Sequence, residues 1–389
     1  MTERETGEQT DILILGAGLV GLTLALALRD TPWRVTLIDR RPFAAQHEDP
    51  RALALSHGAR QLLQTLGAWP ESPAATAIKG IHVSQRDGFG RALMQADEYR
   101  LPALGYVIRY KHLATRLQAA MRRLPQVECL DTTTLEALQM HADGGVATLT
   151  RQGETRRVHA RLVVHAEGTP NDDPTVEVAD YHQHAVICDV TPDCPHNNRA
   201  WERFTPDGPL ALLPLEAGFS VVFTVPPARA DVLMAMNEAD FLAALSRQFG
   251  SRFGFTAAGR RDRFPLALRQ RRQLFQGREV WIGNAAQTLH PVSGQGFNLG
   301  LRDAWVLAEV LADSADLAAN LDTELACYAA RRQLDRCGGA LFTDKVVRLF
   351  SNNLPPLRWA RGLGLAALDL FPPAKDFIAR RMIFGARGW

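Results

Sequence analysis

The residues of this 389-residue chain whose types and spacing could serve chemistry are glycines. In Gly283–Asp303, GNAAQTLHPVSGQGFNLGLRD, a short apolar strand (Val280–Ile282) gives way to Gly294, Gly296 and Gly300 and then to an apolar-periodic helix. Leu299, Val306, Val310 and Leu311 share one face of that helix, and Arg302, Asp303 and Glu309 are expected to face out. Glycines without side-chain cover let bare backbone approach a flat ligand. A helix start, expected near Asn298–Gly300, then aims free N–H groups at its negative charge. No Ser/His/Asp arrangement and no metal-ligand spacing shows, so no metal is expected and a cofactor must carry the chemistry.

A second glycine run narrows the ligand. The buried-strand pattern Asp11–Leu15 feeds Gly16-Ala17-Gly18-Leu19-Val20-Gly21, a helix through Leu28, a strand at Val35–Ile38, and Asp39. This order of strand, GxGxxG, helix, strand and acid is the dinucleotide fingerprint in its required context. Gly16 permits the tight turn, Gly18 lets backbone touch a pyrophosphate, Gly21 allows close helix–strand packing, and Asp39 accepts from the adenosine ribose. The fingerprint alone does not separate FAD from NAD. A reduced flavin carries negative charge along its N1–C2=O edge, and the Gly283–Asp303 stretch therefore tips the choice to FAD.

The elements that must hold these turns fit an α/β chain of two intimate domains. Apolar residues make up 46%, enough for a large core, and the net charge of +2 excludes the basic footprint of a nucleic-acid binder. Five scattered cysteines suit reduced thiols. The uncharged run Ile12–Leu28 is preceded by the acidic, polar TERETGEQTD, which argues against a signal peptide and for a cytoplasmic protein. Ile78–Met94 reads as a hairpin, Val107–Arg109 as a strand before the helix Leu113–Leu124, and Val127–Leu130 with Ala147–Thr150 as a small meander around Asp143-Gly144-Gly145. Short β-rich runs at Ala185–Val190, Leu210–Leu213 and Ser220–Val225 read as an antiparallel substrate sheet, and Arg260–Gln276 as the return crossing. Phe204, Leu210, Leu212 and Pro214 either line an apolar pocket or form the core face of strands. Beyond Leu311 the chain reads as helical, with a basic, amphipathic tail that suits either lipid or its own protein. The expected division is a discontinuous FAD-binding domain (10–77, 101–178, 269–325), a substrate domain (78–100, 179–268) and a C-terminal helical segment (326–389).

Gly283, Pro291, Gly294, Gln295, Gly296, Asn298, Gly300 and Asp303 fall in register with GDxxHxxxPxxGQGxNxGxxD. The chain thereby resembles the FAD-dependent aromatic hydroxylases of the class A flavoprotein monooxygenases. Within them GNAAQTLHPxxGQGFNLG, YHQHAVICDV and ERFTPDGPLALLPL are similar to the ubiquinone-biosynthesis hydroxylases, nearest the branch acting on 2-polyprenyl-6-methoxyphenol. Asn284 and Gln287 stand where that pattern has Asp and often His. RLVVHAEG, Arg161–Gly168, departs from the family's xLVxGADG at His165 and Glu167, and Asn171-Asp172-Asp173-Pro174 replaces its downstream Ser and Arg. These departures put the usual nicotinamide docking in doubt.

The resemblance implies a Rossmann-like FAD-binding domain with an inserted antiparallel-sheet substrate domain and C-terminal helices. It implies FAD reduced by NADPH or NADH, reaction with O2 to a flavin C4a-hydroperoxide, and hydroxylation of a prenylated phenol. Arg51, Pro291 and His290 are the expected catalytic residues. Arg40, Arg51, Arg109, Glu167, Gly283, Asn284, Pro291, Gly294, Gly296, Phe297 and Asn298 join the first glycine loop and Asp39 in the expected cofactor set. A ubiquinone-biosynthesis complex and peripheral contact with the inner membrane are the implied partners. A sister hydroxylase acting at another ring position, and a flavin-binding subunit without turnover, stand as alternatives.

Overall fold

A computed structural model describes residues 8–70, 73–170, 173–314, 317–350 and 355–385; Asn171 and Asp172 lie outside them. The chain opens with β1 (Glu8–Leu15), buried from Ile12 onward, and α1 (Leu19–Ala27), apolar on nearly every side. β2 (Val35–Ile38) is buried throughout, as a strand covered on both faces must be. β3 (Ala52–Ser56) ends in a cap, since the Ser56 hydroxyl accepts the Ala59 N–H and starts α2 (His57–Thr65). There follow β4 (Ala75–Ile78), the hairpin of β5 (Gly80–Gln85) and β6 (Arg91–Gln95), then β7 (Gly105–Arg109) and α3 (Tyr110–Met121). β8 (Val127–Leu130), β9 (Thr133–His141), β10 (Gly144–Arg151) and β11 (Glu154–His165) lead to the long β12 (Val176–Pro192). β13 (Arg199–Thr205), β14 (Gly208–Leu215), β15 (Gly218–Val225), α4 (Pro227–Ala235), α5 (Glu238–Phe249), β16 (Phe255–Ala258) and β17 (Asp262–Arg271) build the second sheet. β18 (Phe275–Gln276), β19 (Glu279–Trp281) and β20 (Gln287–Thr288) precede the helices α6 (Gln295–Ala312), α7 (Leu317–Phe350), α8 (Pro355–Leu370) and α9 (Pro372–Phe384).

The first sheet runs β18-β19-β11-β1-β2-β8, parallel from β19 to β8, with β10 and β9 added in antiparallel fashion on β11. Strand order reverses at β1, so the Gly16 turn lies in the crevice where such sheets bind ligands. Val127–Leu130 is not part of the meander expected from the sequence. It pairs parallel to β2, a partner that strands joined only by a tight turn do not reach but that a strand delivered by a helix does.

The second sheet runs β20-β17-β12-β15-β14-β13-β5-β6, and β3-β7-β4 form a third. It is antiparallel except for β13 beside β5. Leu210, Leu212, Val221 and Phe223 pack one face of it under α4 and α5. Leu210 and Leu212 are therefore core residues, as the bland reading of that strand holds. Phe204 lies on the opposite face, stacked 4.1 Å from Phe350 of α7.

α6 starts at Gln295, three residues before the expected start, with Gly294 as its cap at φ 62°. Arg302 and Asp303 do not face out, because α7 covers them. Asp303 has no exposure and accepts Gly283 N–H (3.0 Å), Gln287 Nε2 (2.6 Å) and Arg332 Nε (2.7 Å). Asp335 takes Nη1 of Arg332 (2.7 Å) and Nε of Arg302 (2.9 Å). Burial works to lower the Arg332 pKa, but Asp303 and Asp335 outweigh it and hold the guanidinium firmly charged. Residue 326, where the sequence reading begins a separate segment, lies inside α7.

Arg332→Leu leaves the buried Asp303 without its cation and removes one of the two cations on Asp335. It should cost about 3–5 kcal/mol of stability, whereas Arg272→Ala, in a pair with Glu177 whose side chains are 68% and 66% exposed, should change it by less than about 1 kcal/mol. Urea unfolding of the two variants checks this; equal, small losses would remove the network's importance.

Candidate active site

The glycines divide by what a side chain would meet. At Gly16, with φ 99°, a Cβ would lie 2.6 Å from the Ala166 carbonyl oxygen; at Gly21 it would strike the Gly16 carbonyl. At Gly300 it would lie 2.9 Å from Val20, and at Gly294 2.9 Å from Ala54. These are packing glycines. At Gly18 and Gly296, apart from their chain neighbours and their own helix, no atom of the described residues lies within 4 Å of that position. One opens at the N-terminus of α1, the other at the N-terminus of α6. Each is bare backbone beside free N–H groups at a helix's positive end, which is the cradle a pyrophosphate and an anionic flavin edge require. The residues present thus fit FAD, and the N–H groups at Gln295–Phe297, not those near Asn298–Gly300, would meet its ring.

Asp39 accepts the N–H groups of Ala17 (3.0 Å) and Arg41 (2.9 Å), fixing the first glycine loop while its oxygens keep further lone pairs for a ribose. Arg40 is exposed. Two residues escaped the sequence reading here. Gln46 donates to the Ala17 carbonyl (2.6 Å), and Gln118 donates to Phe43 O (3.1 Å) and Gln46 Oε1 (3.4 Å). Both are buried, but partners 29 and 72 residues away leave no local signal.

Arg51 and Arg109 line one cleft of about 160 Å³ with Phe264 and Asp189. Arg51 is clamped by Asp49 and lies over the rings of Tyr110 (5.3 Å) and Phe264 (5.9 Å). Hydrogen bonding to Asp49 outweighs burial and holds it more firmly charged. Arg109 spends its guanidinium on Glu216 (2.7 and 3.1 Å) and Asp189 (2.8 Å), bridging β7 to the second sheet. It is a strut between elements, not a free cation for a cofactor.

Asn298 is also a strut. Its Oδ1 accepts Ser56 N–H (2.8 Å), and its Nδ2 donates to the carbonyls of Ala54 (3.0 Å) and Gly294 (2.8 Å), so its side chain locks the turn to β3. His290 has both nitrogens engaged. Nδ1 accepts Val292 N–H (3.1 Å), which leaves Nε2 to donate to Gln183 Oε1 (3.3 Å). The buried imidazole is neutral, its pKa lowered to about 3 by burial. It shapes the Pro291 turn and offers no free nitrogen to a substrate. Pro291 on that turn and Phe297 in the first turn of α6 are half-buried, Asn284 is exposed beside the buried Gly283, and Glu167 accepts from His165 Nδ1 (3.0 Å).

The departure at His165 has a physical use. Its ring stacks 5.0 Å from Trp281, and Arg271 covers Trp281 at 4.2 Å. Burial works against its protonation, yet Glu167 and Glu279 raise its pKa.

A family model described as an FAD binding domain matches residues 9–334. The fold resembles that of p-nitrophenol 4-monooxygenase PnpA from Pseudomonas putida, with a TM-score of 0.78, 17% identity, and 98% of this chain and 100% of that one covered. It also resembles PqsL from Pseudomonas aeruginosa, with a TM-score of 0.77, 20% identity, and coverage of 92% and 100%. The chain belongs to the FAD-binding-domain family and is an FAD-dependent monooxygenase using O2. Ubiquinone hydroxylase UbiL of Rhodospirillum rubrum is 34% identical over 386 residues, covering 95% of this chain and 88% of its own length. The 3-demethoxyubiquinol 3-hydroxylase of Escherichia coli is 33% identical over 380 residues, covering 94% and 96%. Within the class, the chain is a member of the ubiquinone-biosynthesis hydroxylase family.

Gly18→Val should fold normally and lose FAD, since only the ligand would meet the new side chain. Gly21→Ala should instead destabilise the apoprotein by about 1–3 kcal/mol through overpacking. Flavin absorbance of the purified variants and thermal melts of their apo forms check the contrast.

His290 supplies a pH test. Its folded pKa of about 3 lies below the ordinary 6.5, so the unfolded chain binds the extra proton and stability falls as pH drops from 6.5 toward 3. His290→Asn should flatten that limb by up to about 1.4 kcal/mol per pH unit, read from urea midpoints at pH 6.5, 5.5 and 4.5.

Proposed function

We propose that the protein hydroxylates 2-polyprenyl-6-methoxyphenol para to its hydroxyl, giving 2-polyprenyl-6-methoxy-1,4-benzoquinol, with NADPH or NADH as electron donor. The observation that supports a long-tailed substrate is an apolar cavity of about 320 Å³ between α6, α7 and α9. It begins at Gln295 and Leu299, beside the open Gly296, and reaches Leu334, Phe342 and Phe377 on the surface, which are 61%, 41% and 53% exposed. Each buried methylene contributes about 0.8 kcal/mol, so one isoprene unit there supplies several kcal/mol of binding. Leu210 and Leu212 do not contribute to this cavity, since both are packed under α4 and α5.

Bound FAD supplies activated oxygen. The chain's part is to hold it with the two open helix starts, to orient the ring through the Pro291 turn that His290 and Asn298 fix, and to keep water out. This reading keeps the division into FAD-binding and substrate domains but moves the start of the C-terminal segment to α7, with the helices α7–α9 forming the tail's cover. Leu341, Leu349, Trp359, Leu363, Leu370 and Phe371 are exposed on those helices, among Lys345, Arg358 and Arg380. Such an apolar and basic face suits an anionic bilayer surface, where a polyprenyl phenol resides. No described helix is long and apolar enough to cross a membrane.

The ring position rests on GNAAQTLHP, YHQHAVICDV and ERFTPDGPLALLPL. The Escherichia coli relative named as a 3-demethoxyubiquinol 3-hydroxylase favours a second reading, hydroxylation at another carbon of the same ring. Expressing the gene in strains blocked at each ring hydroxylation separates them. Rescue only of the strain accumulating 2-polyprenyl-6-methoxyphenol is the expected result, and rescue of another strain alone transfers the assignment. The tail argument fails if 4-hydroxybenzoate is turned over as well as a prenylated phenol.

A further inference from the structure

The face of the second sheet turned away from α4 and α5 carries a carboxyl group with an oxygen left unpartnered among the described residues. Along β13, Trp201 points to the α5 side, where it meets Phe249 and Phe253, so Ala200, Glu202 and Phe204 point the other way. Across that opposite face Glu202 lies between Val83 of β5 and Ala211 of β14, with Val222 of β15 beyond Ala211. Phe204 shares a buried cluster on this face with Val292, the residue after Pro291, so the face looks toward the Pro291 turn. One of the two strand neighbours of Glu202 there is an alanine, and the residue keeps some accessible surface. Glu202 Oε1 is itself buried and has no hydrogen-bond partner among the described residues.

A buried carboxyl oxygen without a partner is costly unless a ligand completes it. We propose that Glu202 receives the phenolic O–H of the substrate, both fixing the ring and taking its proton as oxygen is transferred. The proposal rests on the phenol reading above. The carboxylate gains the O–H proton while the ring carbon para to that oxygen forms its new C–O bond. The O–O bond of the activated oxygen breaks as that bond forms. The carbon then loses its hydrogen as a proton on rearomatising, which goes to the departing oxygen on its way to water, and Glu202 returns its own proton to the original phenolic oxygen. In sum a phenol, O2, NAD(P)H and one proton give a hydroquinone, water and NAD(P)+, with the donor's two electrons reducing the second oxygen atom.

Burial raises the Glu202 pKa to about 8, close enough to a phenol's for proton transfer in either direction. No neighbouring charge contributes to that shift. The titratable groups on elements packed against this face are His290 and Tyr181 near Phe204, and the Arg51–Asp49 and Arg109–Asp189 pairs toward Phe264.

The test uses the FAD-loaded protein and two probes, a 2-prenylphenol and its methyl ether, with binding read from the flavin spectrum. Wild type should prefer the phenol, increasingly as pH rises through about 8, where the carboxylate forms. Glu202→Gln should retain FAD, lose that pH dependence and drop kcat/KM by about 100-fold or more, and Glu202→Asp should restore part of both. A wild-type preference that does not change with pH overturns the proposal, as does a Gln variant that keeps the pH dependence. Failure of wild type to bind either probe removes the prenylphenol reading as well, which distinguishes the two failures.

Discussion

The structure depends on one buried carboxylate. Asp303 on α6 accepts a backbone N–H from Gly283, a side-chain amide from Gln287 and a guanidinium from Arg332 on α7. Those three bonds fix the two ends of the turn between β19 and α6 and tie it to the helix that covers it. Gln287 passes the constraint on, since its Oε1 accepts from Arg336 (2.7 Å), which also donates to the Arg271 carbonyl (2.6 Å). Arg271 in turn pairs with Asp173 and covers Trp281. A buried charge is tolerated only when its partners are complete. The network therefore has few alternative arrangements, and a turn held this way presents Gly296 in one place.

Sequence made the scaffold of the two glycine turns legible because its determinants are local. Strand, glycine run and helix follow one another within a few residues, and their hydrophobic periods change where the elements change. Asp303 was not legible as the centre of a network. Its helical position predicts an outward side chain unless another helix covers it, and the partner that covers it is 29 residues on. The same holds for Arg109, Asn298 and His290. Motif and residue type mark all three as functional, yet each spends its polar atoms on partners 80 to 244 residues away in chain, or on the turn it sits in. Their work is to position elements, and that becomes visible only when the elements have met.

The α6 start illustrates a subtler failure. Gln295, Gly296 and Phe297 contain a glycine that lowers helix propensity, so the pattern places the start later. In the fold Gly294 takes the left-handed cap conformation and Asn298 anchors its carbonyl. Tertiary bonds thus hold a helix first turn that propensity alone would leave frayed. The weakness has a use, because a first turn containing Gly296 exposes backbone N–H groups that a larger residue would cover.

The second sheet distributes its chemistry between two faces. Under α4 and α5 it is sealed by Leu210, Leu212, Val221 and Phe223, which gives the sheet its stability without leaving space for a ligand. A sheet stabilised on one side can afford small residues and an unpaired acid on the other, and Ala200, Ala211 and Glu202 stand there. The cover of that second face comes from the flavin turn and from α7, the elements that Asp303 locks together. Holding the Gly283–Gly294 turn and covering that face are therefore one constraint, and a change that loosens α7 must disturb both at once.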